Sequence, residues 1–322
     1  MTSQPAILPK PGLANWLTVI ALSVIWGAAF MSVSMALKGF GPLTVAAGRI
    51  VIAALVLLAT AWAMGLRLPR LSQPQGGRIW LHIIGMGLFS NALPFFLLSW
   101  AQRHVASGFA GITMAAVPLF TLLIAHRLVP GERMTAWKLA GFALGISGVA
   151  VLIGPGALAA RGDDLEGVAR LICLAAALSY SIGGVVTRLC PPVPLVAFSA
   201  AALIAAAVMI VPLALWVEGV PDLTAAGTRP MLALLYLGLG PTALATLLLV
   251  RVIQTAGPTF LTQSNYQVPV WSVVFGTLFL GEKLPATILL ALALILSGLA
   301  VSRMGIGTGG WRRAARQSNC SR

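Results

Sequence analysis

Acidic residues are scarce: seven Asp and Glu stand against twenty-one Lys and Arg in 322 residues, and charged residues of either sign make up 9%. That excludes a water-soluble domain, because so few ionisable groups could not cover its surface. Of three cysteines, Cys173 and Cys190 lie in or at the end of one apolar run and Cys320 in a polar tail, spacings that frame neither a disulfide nor a metal site. Three scattered histidines (82, 104 and 126), no HExxH and no GxSxG remove the usual signatures of an integral-membrane hydrolase or transferase, so no catalytic residue is assigned. No acid falls in the central part of any apolar run, which disfavours a cation exporter or a carboxylate proton relay. Arg49 is the one base clearly inside a run, whereas a phosphate-sugar carrier would be expected to place several there.

What fills the chain instead is hydrocarbon: 59% of residues are hydrophobic and the mean hydropathy is +0.96. Runs long enough at 1.5 Å per residue to cross a hydrocarbon core near 30 Å fall near 15–37, 43–64, 79–101, 106–128, 135–154, 166–189, 194–216, 230–253, 258–280 and 285–304. Ten spans follow, with the second and eighth the least regular because of Arg49 and the Gly/Pro cluster at 238–241. The net charge of +14 is sorted by loop parity. Lys10, Arg67, Arg70, Arg78, Arg127, Arg133, Lys138, Arg188 and Arg251 share one side with the basic residues from Arg303 on, while Lys38, Arg103, Arg161, Arg170, Arg229, Lys283 and every acid except Glu132 lie on the other. That is the pattern of cytoplasmic retention of Lys and Arg, not of a nucleic-acid surface, and it puts both termini in the cytoplasm. The first run is too long for a signal-peptide core and is read as a retained helix. Residues 305–322 form a basic flexible tail near anionic lipid heads. Its Gly305-Ile306-Gly307-Thr308-Gly309-Gly310 satisfies GxGxxG but follows a membrane helix with no strand before it, so it is not a dinucleotide loop.

The chain also repeats itself. AAVPLFTLLIAHRLVPGER at 115–133 is echoed by YQVPVWSVVFGTLFLGEK at 266–283, and GFALGISGVAV at 141–151 by ALALILSGLAV at 291–301. Five runs per copy is an odd number, so the second copy enters the membrane from the opposite side. The expected architecture is an all-α integral membrane protein of ten transmembrane helices in a 5+5 inverted repeat, with units at 15–154 and 166–304. Transporters of this plan hold their substrate near the midplane between the copies and rock about it. A duplication that serves structure alone also fits.

Trp26-Gly27 in the first helix, the mid-helix Pro118 and Pro269, the turns Gly131-Glu132 and Gly281-Glu282, and the Ser-Gly pairs at 147–148 and 297–298 resemble the drug/metabolite transporter superfamily. Within it the chain resembles in particular EamA-type domains and looks similar to YddG-like bacterial amino-acid and metabolite exporters. The resemblance spans nearly all of 15–304 and implies a cavity lined by the first, third, fourth, sixth, eighth and ninth helices, with the fifth and tenth as outer supports.

Proline deprives a helix of one donor and frees the carbonyl four residues earlier, which in lipid needs another partner or a polar cavity. Pro94, Pro118, Pro241 and Pro269 so free the carbonyls of Ser90, Met114, Leu237 and Asn265. A plain kink satisfied by a neighbouring hydroxyl explains any one of them; four at similar depth favour a chamber. Gly238, Gly240 and Pro241 mark the first choice for a hinge or unwound stretch. Thr262, Gln263, Tyr266 and Pro269 share one helical face flanked by Asn265 and Gln267, a pattern for a cavity wall or for an interhelical hydrogen-bond seam. Candidate substrate contacts are Trp26, His82, Met86, Ser90, Asn91, Met114, Tyr180, Gln263, Tyr266 and Gln267. As an alternative, Trp26 and Tyr180 only pack between helices. Arg49, some two turns inside its run, is positioned to snorkel, to pair with carbonyls or to meet a substrate carboxylate. Gly141, Gly145 and Gly148 permit a close helix contact, within the monomer or at a dimer seam.

The reading is a carrier of the bacterial inner membrane, working as a monomer or weak dimer without cofactor, metal or nucleic acid. It exports small neutral or zwitterionic amphipathic metabolites, amino acids including aromatic ones, by alternating access. A membrane enzyme, a multidrug exporter of the same fold and a passive channel are the alternatives.

Overall fold

The computed structural model describes residues 11–128, 134–154 and 165–304. The Gly131-Glu132 turn, the acids Asp163 and Asp164, and the tail at 305–322 lie outside them. Among the described residues there are helices and connecting turns but no strands. In chain order the long helices are α1 Leu13–Ala36, α2 Pro42–Ala63, α3 Gly76–Ala101, α4 Ser107–Leu128, α5 Ala136–Ile153, α6 Glu166–Arg188, α7 Leu195–Glu218, α8 Thr228–Ala256, α9 Ser264–Leu280 and α10 Ala286–Met304. A one-turn helix, Pro258–Leu261, precedes α9. α1 to α8 are long and apolar enough to cross a membrane; α9 has 17 residues, and Ala286–Ser302 of α10 is a shorter apolar helix. Trp62 and Trp216 are 83% and 84% exposed in the last turns of α2 and α7, as suits aromatic anchors at the lipid headgroups.

Packing follows from small residues at helical spacing. α2 buries Leu43, Ala46, Ala47, Ile50, Ala53, Ala54 and Leu57 along one stripe, and α7 meets it with Ala200, Leu203, Ala206, Ile210 and Ala214. In lipid no solvent drives helices together, so close backbone approach and its dispersion contacts do this work. α5 and α10 make the closest crossing. A Cβ at Gly141 would strike the Gly298 carbonyl, and one at Gly298 would meet Gly141 and Gly145. The glycines at 141, 148 and 298 therefore serve contact within the monomer, while Gly145 also accommodates Leu119 of α4. The remaining neighbours fall in pairs: α1 lies against α8 and α9, α6 against α3 and α4, α2 against α8, and α7 against α3.

Two carboxylates tie the halves of the chain together. Glu218, at the end of α7, accepts from the backbone N–H groups of Leu43 (2.9 Å) and Thr44 (2.8 Å) and from Thr44 Oγ1 (2.7 Å). Glu282 accepts from the N–H groups of Ser107 (2.7 Å) and Gly108 (2.9 Å) at the start of α4. Local sequence aims it: Gly281 takes φ 68, the left-handed cap conformation, and the Glu282 N–H turns back to the Gly276 carbonyl. Each acid satisfies orphan donors at the positive end of a helix dipole.

Candidate functional site

α3 and α8 share a defect. Each widens into a π-helical turn, at Gly87–Ala92 and at Leu239–Leu244. A π turn leaves carbonyls without their regular partners, and side chains take them up. Asn91 Nδ2 donates to the Met86 carbonyl (3.2 Å) and Thr242 Oγ1 to the Leu237 carbonyl (2.8 Å), each reaching back five residues. The Leu237 carbonyl is the one freed by Pro241. At 238–241, therefore, the helix does not unwind: it widens and continues. Gly238 sits against Ile52 of α2 and Gly240 against the Tyr236 ring. The carbonyl freed by Pro118 is handled differently, since the Val117 N–H donates to Met114 through a short 3-10 stretch at Met114–Ala116. Pro94 opens the α-helical part of α3 after its wide turn, and Pro269 is buried inside α9, where its carbonyl accepts from Ser272 Oγ (2.7 Å).

The wide turns also offer carbonyls to helices of the opposite half. Pro241 O accepts from Trp26 Nε1 of α1 (3.1 Å), and Phe89 O accepts from Ser179 Oγ of α6 (2.8 Å). Tyr236 donates its hydroxyl to the Ile25 carbonyl (3.2 Å), and a Cβ at Gly183 would collide with Ser90, so α3 and α6 touch there. Between the turns lies Arg49. It is 8% exposed, its Nε donates to Thr242 Oγ1 (2.7 Å), and its Cζ stands 3.7 Å from the centre of the Phe95 ring. Tyr180 packs against the same ring, with centroids 6.4 Å apart. Arg49 neither snorkels nor pairs with carbonyls, because its neighbours are a hydroxyl and an aromatic face.

Of the residues singled out from sequence, Trp26, Ser90, Asn91, Tyr180, Gly238, Gly240 and Pro241 thus lie at or beside the two wide turns. Met114 and Tyr266 pack, with Tyr180, around the apolar cluster of α4, α5, α6 and α10. Gln263 and Gln267 are partly exposed at the start of α9. His82 and Met86 stand apart: His82 Nδ1 lies 2.7 Å from the Arg78 carbonyl of its own helix, and Met86 packs beside Ile79, Ile83 and Phe198. Sequence reasoning missed Phe95, Thr242 and Tyr236. Thr242 directly follows Pro241, which was signal enough to suspect it; nothing in the sequence marked Phe95. Among the described residues no group of His, Cys, Asp and Glu could hold a metal ion. A separate groove of about 300 Å³ runs between Arg67–Ile79 and Pro192–Pro194, lined largely by prolines.

The sequence profile of the EamA-like transporter family matches residues 14–154 and again 168–304. The chain belongs to the EamA-like transporter family. It is 29% identical over 307 residues to a probable terminal-alkyne amino-acid exporter of Streptantibioticus cattleyicolor, covering 92% of this chain and 96% of that protein. It is 28% identical to the uncharacterized inner membrane transporter YedA of Escherichia coli K12, covering 89% and 90%. A solved crystal structure shares the fold at a TM-score of 0.63 and 24% identity, over 90% of this chain and 97% of the other. Family and relatives point to a multi-pass membrane transporter acting on a small molecule and not to an enzyme.

Proposed function

We propose that this EamA-like chain is a carrier exporting small neutral or zwitterionic amphipathic metabolites, amino acids among them, by alternating access. The observation that carries the reading is the convergence of α1, α3, α6 and α8 on an acid-free, aromatic-walled centre at two widened turns. Wide turns supply carbonyls and backbone play where a solute must be held and released. The paired helix contacts and the twofold profile match support two five-helix units, 15–154 and 166–304, related by inversion. Ten spans and cytoplasmic termini follow from that arrangement together with the loop charges. The amino-acid exporter among its relatives supports the substrate class. Trp26, Ser90, Asn91, Met114, Tyr180, Gln263, Tyr266 and Gln267 line the path, with Pro94, Pro118, Gly238, Gly240, Pro241 and Pro269 as flexible points. Purified protein in proteoliposomes is expected to show saturable uptake and counterflow of amino acids. Alanine at Trp26, Gln263 and Tyr266 should lower it while folded protein stays in the membrane. Conductance without saturation, or unchanged kinetics in all three variants, overturns the reading. Labelling that finds Met1 and Arg322 on opposite faces removes the ten-span arrangement.

A further inference from the structure

Arg49 is a buried cation with no counter-ion among the described residues. Among the described residues no carboxylate reaches it, and the groups close enough to feel its charge are Tyr180 and Tyr236. An unpaired charge at this depth is costly in a membrane protein. Stacking on Phe95 and one bond to Thr242 offset only part of that cost.

The local geometry holds the guanidinium in a fixed pose. Pro241 frees the Leu237 carbonyl; the Thr242 hydroxyl gives its proton to that carbonyl, so its lone pair is what faces Arg49 Nε. With Nε tied and Cζ held 3.7 Å over the Phe95 ring, the Nη1/Nη2 edge is left over. Neither nitrogen has a hydrogen-bond partner among the described residues, and neither is sealed from solvent. The Tyr180 hydroxyl nearby is likewise unpartnered and unsealed. Two parallel N–H donors in a rigid fork match the two oxygens of a carboxylate.

We propose that the Nη1/Nη2 edge of Arg49, flanked by Tyr180, is the anchor for a carboxylate of the transported solute, whose apolar body lies along the Phe95 and Tyr180 rings. This assignment deepens the carrier reading and rests on it. The bound anion would supply the charge that the protein withholds. The nearest donors then explain an apparent contradiction, since a centre free of acids can still contain a buried base.

The test compares L-phenylalanine with L-phenylalaninamide, and L-leucine with L-leucinamide, by calorimetry on the full chain in lipid nanodiscs. The wild type is expected to bind each acid about 10- to 100-fold more tightly than its amide, the range set by charge-assisted hydrogen bonds. Arg49→Gln should abolish that preference by weakening acid binding far more than amide binding; Arg49→Lys should keep part of it. Thr242→Val, which unties the guanidinium without removing it, should reduce the preference; Arg49→Lys, which keeps the charge, serves if Arg49→Gln fails to fold. Equal or absent binding of acid and amide in the wild type overturns the assignment, as does a parallel loss of both in Arg49→Gln. Selective binding of the acids without saturable uptake in vesicles would sink the carrier reading and leave the anion site standing.

Discussion

The wide turns of α3 and α8 carry the same backbone defect and resolve it with different reach. In α3 the Asn91 amide closes the break within its own helix, and the carbonyl passed outward meets a small hydroxyl, Ser179. In α8 the Thr242 hydroxyl closes the break and also orients Arg49 of α2, while the carbonyl passed outward meets an indole, Trp26. A hydroxyl can donate and accept at once, so the α8 break is wired to a charge in the other half of the chain. The α3 break reaches α6 but no charge. Of the two π-helical turns, one reaches only a neighbouring hydroxyl and the other also holds a buried charge.

Substitution separates them most sharply. Thr242→Ala leaves a buried carbonyl and a charged donor without partners, an expected loss of about 3 kcal/mol, against about 1 kcal/mol for Asn91→Ala. Thermal unfolding in detergent checks this, and equal losses would dissolve the contrast. Next come the carboxylates by which the second half clasps the first. Glu218→Ala removes three hydrogen bonds and Glu282→Ala two, so losses of about 2–3 and about 1–2 kcal/mol are expected. The reverse order in urea or heat denaturation would show that the ends are not held by these bonds. Gly183→Ala forces a methyl onto Ser90 and should cost about 1–3 kcal/mol by overpacking the α3/α6 seam. It should also slow counterflow, because α6 then presses on the wide turn of α3. Smallest is His82→Ala. Its ring meets only its own helix near the exposed end, so stability should move by less than about 0.5 kcal/mol and uptake not at all. A loss of transport there would bring His82 back into the path.

Much of the fold was legible. Helix boundaries expected from apolar runs agree with α1–α8 and α10 within a few residues, because run length and Pro/Gly punctuation act locally on the chain; the run expected from 258 instead splits into the one-turn helix Pro258–Leu261 and α9 from Ser264. The Leu237 carbonyl was marked in advance, since proline's missing donor is a property of one residue. The Gly281-Glu282 turn was visible as a motif, but not its purpose: the glycine's left-handed cap aims a carboxylate at a helix that begins at Ser107. For His82 and Met86 the apolar pattern indicated depth along α3 but not the face each presents, which packs His82 on its own helix and Met86 beside Ile79, Ile83 and Phe198. Arg49 was noticed and its surroundings were not, since Phe95 and Thr242 belong to α3 and α8.

The sequence by itself determined that the chain lives in lipid, where its helices start and stop, and which carbonyls proline would free, all consequences of local composition and covalent geometry. Tertiary structure alone decided that Thr242 would take one of those carbonyls and hold Arg49 against Phe95. Contacts between residues as distant as 49 and 242 depend on how helices rotate and cross, and a one-dimensional pattern of apolar residues does not specify that rotation.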